Sequence, residues 1–337
     1  MPRKIQDSVV VITGASSGIG KATALAFAKK GATVVVAARR EVPLQETARK
    51  CEQLGARALA VPTDMTDFQA VQRLADRALE TFGRIDVWVN NHGVTLFAPF
   101  EEAPLEDYWR VIETDLWGSI LGARVVLPIF REQGAGTLIN QGSMVSKLSE
   151  PYVSSYVAAK HAIRGLGMSL RQELALNGSK QIHVCTVMPA TIDTPFFQHA
   201  ANYLGRAAKA MPPVYSAERV ARTIVNLARW PRREVFVGNS ARMFWWQYLL
   251  APGLTERMMA VMFDKLHLYQ DKPAPPTSGN LFEPMAEGTT ISGGWKTMSG
   301  RNTADRRSRI SGTVPVLGVA GLVSLLLALF WANRAKR

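Results

Sequence analysis

Near its N-terminus the chain passes from a β-branched stretch, Ser8-Val-Val-Val-Ile-Thr13, through the turn Thr13-Gly-Ala-Ser-Ser-Gly-Ile-Gly20 into a helical pattern running from Lys21 to Lys30. No other feature constrains the fold as much. An apolar run without polar alternation is what a strand buried on both faces requires, and parallel strands need a crossover between them. The arrangement then repeats. Apolar runs at 32–38, 56–62, 85–90, 137–140, 181–188 and 235–237 alternate with helical patterns at 43–55, 68–82, 108–130, around and after Tyr156, and at 216–229. Strands alternating with helices of this length predict an α/β fold, a doubly wound parallel sheet of about seven strands.

In such a sheet the chemistry sits beyond the strand C-termini, so the residues there are the candidates. Glycines in the first turn let the backbone approach a pyrophosphate, and the following helix offers amide donors and a positive dipole end. Gly14, Ser16, Ser17, Gly18, Ile19 and Gly20 are therefore candidate dinucleotide contacts, against the alternative of a simple tight turn. The second strand ends in Ala38-Arg39-Arg40, where an NAD-selective site would place a carboxylate for the ribose hydroxyls. Two guanidiniums suit a 2′-phosphate, so NADP(H) is the expected cofactor; a solvated basic turn is the alternative. Asp64 and Met65 follow the third strand, in reach of an adenine ring, and Asn90-Asn91-His92-Gly93 closes the fourth. Ser143 closes the 137–142 stretch and is placed to bond a substrate oxygen. Tyr156 and Lys160 stand four apart on a helical pattern, hence on one face, where an ammonium would favour the phenolate. Taken alone, that common spacing favours a surface Tyr–Lys pair on an ordinary amphipathic helix.

Together and in this order, the landmarks resemble the short-chain dehydrogenase/reductase family over roughly Ser8 to Gly238. The motifs that carry the resemblance are the loop of Gly14, Gly18 and Gly20, then Asp64, then Asn90, Asn91 and Gly93, and finally Ser143 with Tyr156 and Lys160. It implies a Rossmann-type catalytic domain over 1–240 and an NADP-dependent oxidoreductase interconverting an alcohol and a ketone or aldehyde. Tyr156 would exchange a proton with the substrate oxygen, and Ser143 would orient that oxygen. Lys160 would hold the nicotinamide ribose and tune Tyr156, and Thr194 would contact the carboxamide. Three positions depart from the family pattern. Asp115 stands where the family has an asparagine; ionised, it offers no amide donor but could pair directly with Lys160. His92 replaces an alanine, expected as a packing change, and Ala190 replaces a glycine.

The remainder reads differently. Residues 190–215 form an apolar lid carrying Phe196, Phe197, Tyr203, Leu204 and Met211, which suits a small lipophilic substrate. An apolar helical extension at 241–271 fits a pocket wall, a membrane-facing surface or packing on the core, and 272–312 has the Pro, Gly and Ser content of a linker. Val314 to Ala332 is nineteen residues without a charge, which as a helix spans roughly 28 Å. It predicts a transmembrane helix at 313–333 with a basic tail at 334–337. The flanking arginines and lysines, and the absence of an apolar export signal near Met1, predict a single-pass protein with its catalytic domain on the cytoplasmic side. The net charge of +13 comes without any nucleic-acid-binding motif, so cofactor phosphate and anionic lipid, not nucleic acid, are the expected anionic partners. Two distant cysteines exclude a disulfide scaffold and give no metal-ligand spacing. Homo-oligomerisation stays open. A non-catalytic NADP-binding membrane scaffold or sensor of the same fold is the competing function, and Asp115 is its only support.

Overall fold

The computed structural model describes residues 4–296. The expected transmembrane segment, the basic tail and residues 297–312 of the expected linker lie outside the described residues. Among those described, no helix is long and apolar enough to cross a membrane.

Seven parallel strands form one sheet: β1 (Val9–Thr13), β2 (Thr33–Ala38), β3 (Ala58–Pro62), β4 (Val87–Asn90), β5 (Gly136–Gln141), β6 (Ile182–Pro189) and β7 (Glu234–Val237). Their order is β7-β6-β5-β4-β1-β2-β3. Val10 pairs with Val34 of β2 on one side and Val87 of β4 on the other, so the winding reverses at β1. That reversal opens the crevice in which ligands of doubly wound sheets bind. Every residue of β1 is buried. Val10 and Ile12 enter one core with helices α1 (Gly18–Ala28) and α2 (Glu41–Gln53); Val9 and Val11 enter the other with α3 (Phe68–Phe82). Burial on both faces is why the strand shows no polar alternation. The Asp67 carboxylate caps α3 by accepting from Gln69 N–H, and Gly83, in the left-handed region at φ 77°, ends it.

The helix expected over 108–130 is broken in two. α4 (Leu105–Ile112) and α5 (Gly118–Gln133) meet through a π-helical turn, Glu113–Trp117. The wider turn rotates Asp115 inward to full burial, an offset that hydrophobic periodicity alone does not reveal. α6 (Ser154–Leu176) carries Tyr156 and Lys160, and α7 (Ala217–Arg229) packs beside α1.

Beyond β7, α8 (Asn239–Leu250) and α9 (Pro252–Met262) bury Ala241, Phe244 and Met259 against Met144, Val145 and Ala190. The extension at 241–271 therefore packs on the domain. The stretch from 272 to 296 is not a free linker. Residues Leu268–Pro273 pair antiparallel with Arg206–Ala208, and the chain then crosses the strand C-termini with Leu281 and Trp295 buried. Proline and glycine content suggested a linker because the order here comes from long-range bonds to arginines, which leave no local periodicity.

Candidate active site

At the first turn the chain needs two glycines for close approach. A Cβ at Gly20 would overlap the Gly14 carbonyl, so only glycine lets α1 start this near β1. The Asn91 side-chain amide donates to the carbonyls of Thr13 and Gly14 at 3.0 and 3.3 Å, locking the loop to the end of β4. His92 is buried with Nδ1 2.7 Å from the Thr13 hydroxyl. Burial, helped by the Lys160 charge, pushes His92 down to about 3, so it stays neutral.

Arg39 and Arg40 leave β2 at this same end. Asp64 accepts from both the amide and the hydroxyl of Thr66 at 2.9 Å, and Arg110 stands 3.6 Å away. Burial raises the Asp64 carboxyl, but those bonds, with Arg110 and Arg39, outweigh it and hold the group below its ordinary range. Arg110 had no signal in the sequence, since it lies mid-helix on α4.

At the other end, Ser143 caps the short 3₁₀ helix Met144–Ser146 directly after β5, so its position is set by backbone bonds in both directions. Its hydroxyl acts on the Tyr156 phenol, favouring ionisation. Lys160 Nζ lies 2.9 Å from the buried Asp115 carboxylate and donates to Gln141 O at 3.2 Å. The other Asp115 oxygen accepts from Val94 N–H at 2.8 Å. Burial pushes the Asp115 carboxyl up against the opposing pull of Lys160. Burial also raises the Tyr156 phenol, and the Asp115 charge adds to it, while the Ser143 hydroxyl pulls the other way. Lys160 is thus committed to Asp115, and the phenol remains protonated at neutral pH.

Every residue expected at the site from sequence, except Gly20 and Asp115, lines one cavity of about 270 Å³. Gly20 supports the loop from behind, and Asp115 supports Lys160. Phe196 packs against Tyr156 with the rings tilted at 53° and their centroids 5.7 Å apart, with Phe197 and His267 beyond it. Glu150 also lines the cavity, and burial holds its carboxyl up at about 7. It sits on the loop between Ser143 and Tyr156, where nothing in the spacing marked it. Asn280, Pro284 and Met285 line the cavity too, from the stretch expected to be a linker. Glycine cradle, helix N-terminus, arginine pair and the Ser143–Tyr156–Lys160 cluster on one cavity are a donor set that fits a dinucleotide.

Comparison with known proteins agrees with this geometry. Residues 8–203 match the short chain dehydrogenase family. The uncharacterized oxidoreductase YxnA of Bacillus subtilis is 35% identical over 329 residues, covering 96% of this chain and 90% of that protein. A short chain dehydrogenase/reductase from Burkholderia phymatum, solved with NAD, superposes with a TM-score of 0.68 at 26% identity, covering 75% of this chain and 97% of that one. An alcohol dehydrogenase from Thermococcus sibiricus, solved with 5-hydroxy-NADP, gives 0.60 at 27% identity, over 68% of this chain and 96% of that one. The chain belongs to the short-chain dehydrogenase/reductase family and is an oxidoreductase with a nicotinamide-dinucleotide-binding fold.

Proposed function

We propose that the protein is an NADP(H)-dependent oxidoreductase that interconverts an alcohol and a ketone or aldehyde on a small lipophilic substrate. The observation that carries this reading is a single cavity with Arg39 and Arg40 at one end and Ser143, Tyr156 and Lys160 at the other. The cofactor, when bound, supplies or accepts the hydride. The chain's own residues place and polarise. Gly14 to Gly20, Asn91 and the α1 N-terminus receive the pyrophosphate, Asp64 and Met65 flank the adenine, and Arg39 and Arg40 supply charge for a 2′-phosphate. Gly93, Lys160 and Thr194 bound the nicotinamide end.

At the reacting carbon, Ser143 and Tyr156 bond the substrate oxygen from two directions. In carbonyl reduction the protonated phenol of Tyr156 gives its proton to the developing alkoxide while Ser143 holds the oxygen in place, and in alcohol oxidation the proton returns to Tyr156. Phe196, Phe197, Met144 and Val145 make the wall apolar, which suits a lipophilic substrate and keeps water from the site. As a further part of the reading, the uncharged Val314–Ala332 segment between basic flanks anchors the enzyme to a bilayer with the catalytic domain on the cytoplasmic side.

The test is oxidation of NADPH and of NADH by the purified chain with a series of apolar ketones. Turnover with NADPH in preference to NADH is expected, and Tyr156→Phe should lower kcat at least about 100-fold with dinucleotide affinity unchanged. Turnover of no ketone with either cofactor, or more than a tenth of the activity in the variant, overturns the assignment.

A further inference from the structure

Residues 279–295 run along the cavity and present backbone carbonyls to Lys21 and to groups assigned to phosphate. Thr290 O accepts from Gly18 N–H at the α1 N-terminus, at 3.0 Å, and Thr289 O accepts from Lys21 Nζ at 2.9 Å. Arg40 donates to Met285 O and Glu287 O at 3.0 and 2.8 Å; Arg39 donates to Asn280 O and Phe282 O, each at 2.6 Å. Among the described residues neither arginine has a carboxylate within ion-pair distance. Burial lowers the pKa of both guanidiniums, so each is a partly desolvated charge facing neutral oxygens. Asp64 and Glu283 act on Arg39 from beyond ion-pair distance, and Arg40 meets only the like charge of Arg39, so among the described residues neither guanidinium has a direct counter-charge.

The cavity continues beneath this segment. Asn280, Pro284 and Met285 line it opposite Ala38, Arg39 and Asp64. The far end of the segment is fastened as firmly. Asp193 accepts from the Ser292 hydroxyl at 2.7 Å and from Trp295 N–H at 2.8 Å, and the Trp295 indole donates to Thr194 O at 2.9 Å. The segment thus reaches from the arginine pair to Thr194, both ends of the proposed dinucleotide site. It lies past residue 203, where the family match ends, yet within the region shared with the Bacillus subtilis relative, whose match leaves out only 4% of this chain.

We propose that residues 279–295 are a strap that forms the outer wall of the dinucleotide site, latched by Arg39 and Arg40, and that the dinucleotide enters only when the strap lifts and is then held beneath it. The proposal rests on the dinucleotide reading above. A latch built of half a dozen charge-assisted bonds to carbonyls slows both entry and exit, and a bound phosphate adds a direct counter-charge under the closed strap.

Two substitutions loosen the strap at opposite ends. Gly279 lies in the left-handed region at φ 53°, and a Cβ there would overlap the His199 carbonyl, so Gly279→Val pushes the strap off. Trp295→Ala removes the buried anchor at Thr194. Stopped-flow measurement of NADPH association and dissociation on the full chain is expected to show both rate constants raised tenfold or more in each variant. In the unmodified protein, amide hydrogen exchange across 279–295 is expected to slow when NADPH is added. Unchanged rates in variants with wild-type circular dichroism and melting overturn the proposal. So does faster strap exchange on adding NADPH, which means that the strap competes with the dinucleotide rather than covering it. Should both variants fail to fold, the exchange result on the unmodified protein decides. Dinucleotide binding without any change in strap exchange sinks the strap alone, whereas failure of NADPH and NADH to bind at all sinks the oxidoreductase reading with it.

Discussion

The most consequential residue is Asp115, because it changes what Lys160 can do. A lysine free of other partners would pull a neighbouring phenol toward its anion. Here the ammonium is held 2.9 Å from a buried carboxylate, and that carboxylate helps to raise the Tyr156 phenol. Asp115→Asn removes the negative charge and restores the uncommitted lysine, so the phenol should titrate lower. Alcohol oxidation, which needs the phenolate, should then begin at lower pH, and carbonyl reduction should fall off at lower pH. The pH profiles of kcat/KM in both directions check this; profiles that coincide with wild type would show that Asp115 has no electrostatic hold on Tyr156. The pairing was legible in the sequence, because Asp115 stood out against the family asparagine and an ionised carboxylate seeks a cation. Glu150 was not. No spacing rule connects it to Tyr156, and only the fold of the loop after Ser143 turns it toward the cavity.

At the scale of elements, the strands and crossover helices were readable because each answers to local rules: burial on both faces for a strand, one apolar stripe for a helix. The places where reading failed are the places where distant groups decide. The π turn at Glu113–Trp117 buries Asp115, and the strap is ordered by arginines more than two hundred residues upstream. A similar long-range tie fixes the sheet's edge. Glu234 on β7 is paired with Lys147 at 2.7 Å, Arg164 at 3.0 Å and Arg171 at 3.7 Å, which joins the edge strand to α6 and to the loop after Ser143. Burial raises this carboxyl, but the hydrogen bonds and charges of Lys147 and Arg164 win and hold it below its ordinary value. A carboxyl with a depressed folded pKa adds stability that is complete above its unfolded value and is lost as pH falls through the folded one. Glu234→Gln leaves three cations facing a neutral amide. It should cost roughly 1–3 kcal/mol at neutral pH, and much less well below pH 4, where wild type has lost the same contribution. Urea unfolding at pH 7 and below pH 4 measures the difference; an equal cost at both would show that the cluster is not acting through charge.

For the whole molecule, the question is how the compact unit ending at Lys296 is presented to its substrate. On α8 and α9, Phe244 and Met259 face the core, whereas Trp246, Leu249, Leu250, Leu254 and Val261 are exposed, Leu250 at 85%. The adjacent Trp245 turns inward, stacked with Tyr248 and covered by Lys147, so only one of the two tryptophans is free to meet an apolar phase. These helices also form the wall behind Met144 and Val145, so a surface that touches a bilayer is one layer away from the proposed substrate site. The strap, the proposed active site and both core faces all lie within the unit that ends at Lys296. A chain ending at residue 312 should therefore fold, bind NADPH and reduce a water-soluble ketone at the full rate. Full-length protein should float with liposomes in a density gradient and resist carbonate washing, while the shortened chain should not. With a ketone dissolved in the vesicles, the shortened chain should turn over at least several-fold more slowly, because nothing keeps its cavity near the bilayer. Full-length protein released by carbonate would remove the anchor, and a shortened chain that no longer folds would show that the tail belongs to the core. Equal rates on the vesicle-borne ketone would mean that the exposed face of α8 and α9 is sufficient by itself, and Trp246→Glu should then abolish what membrane association remains.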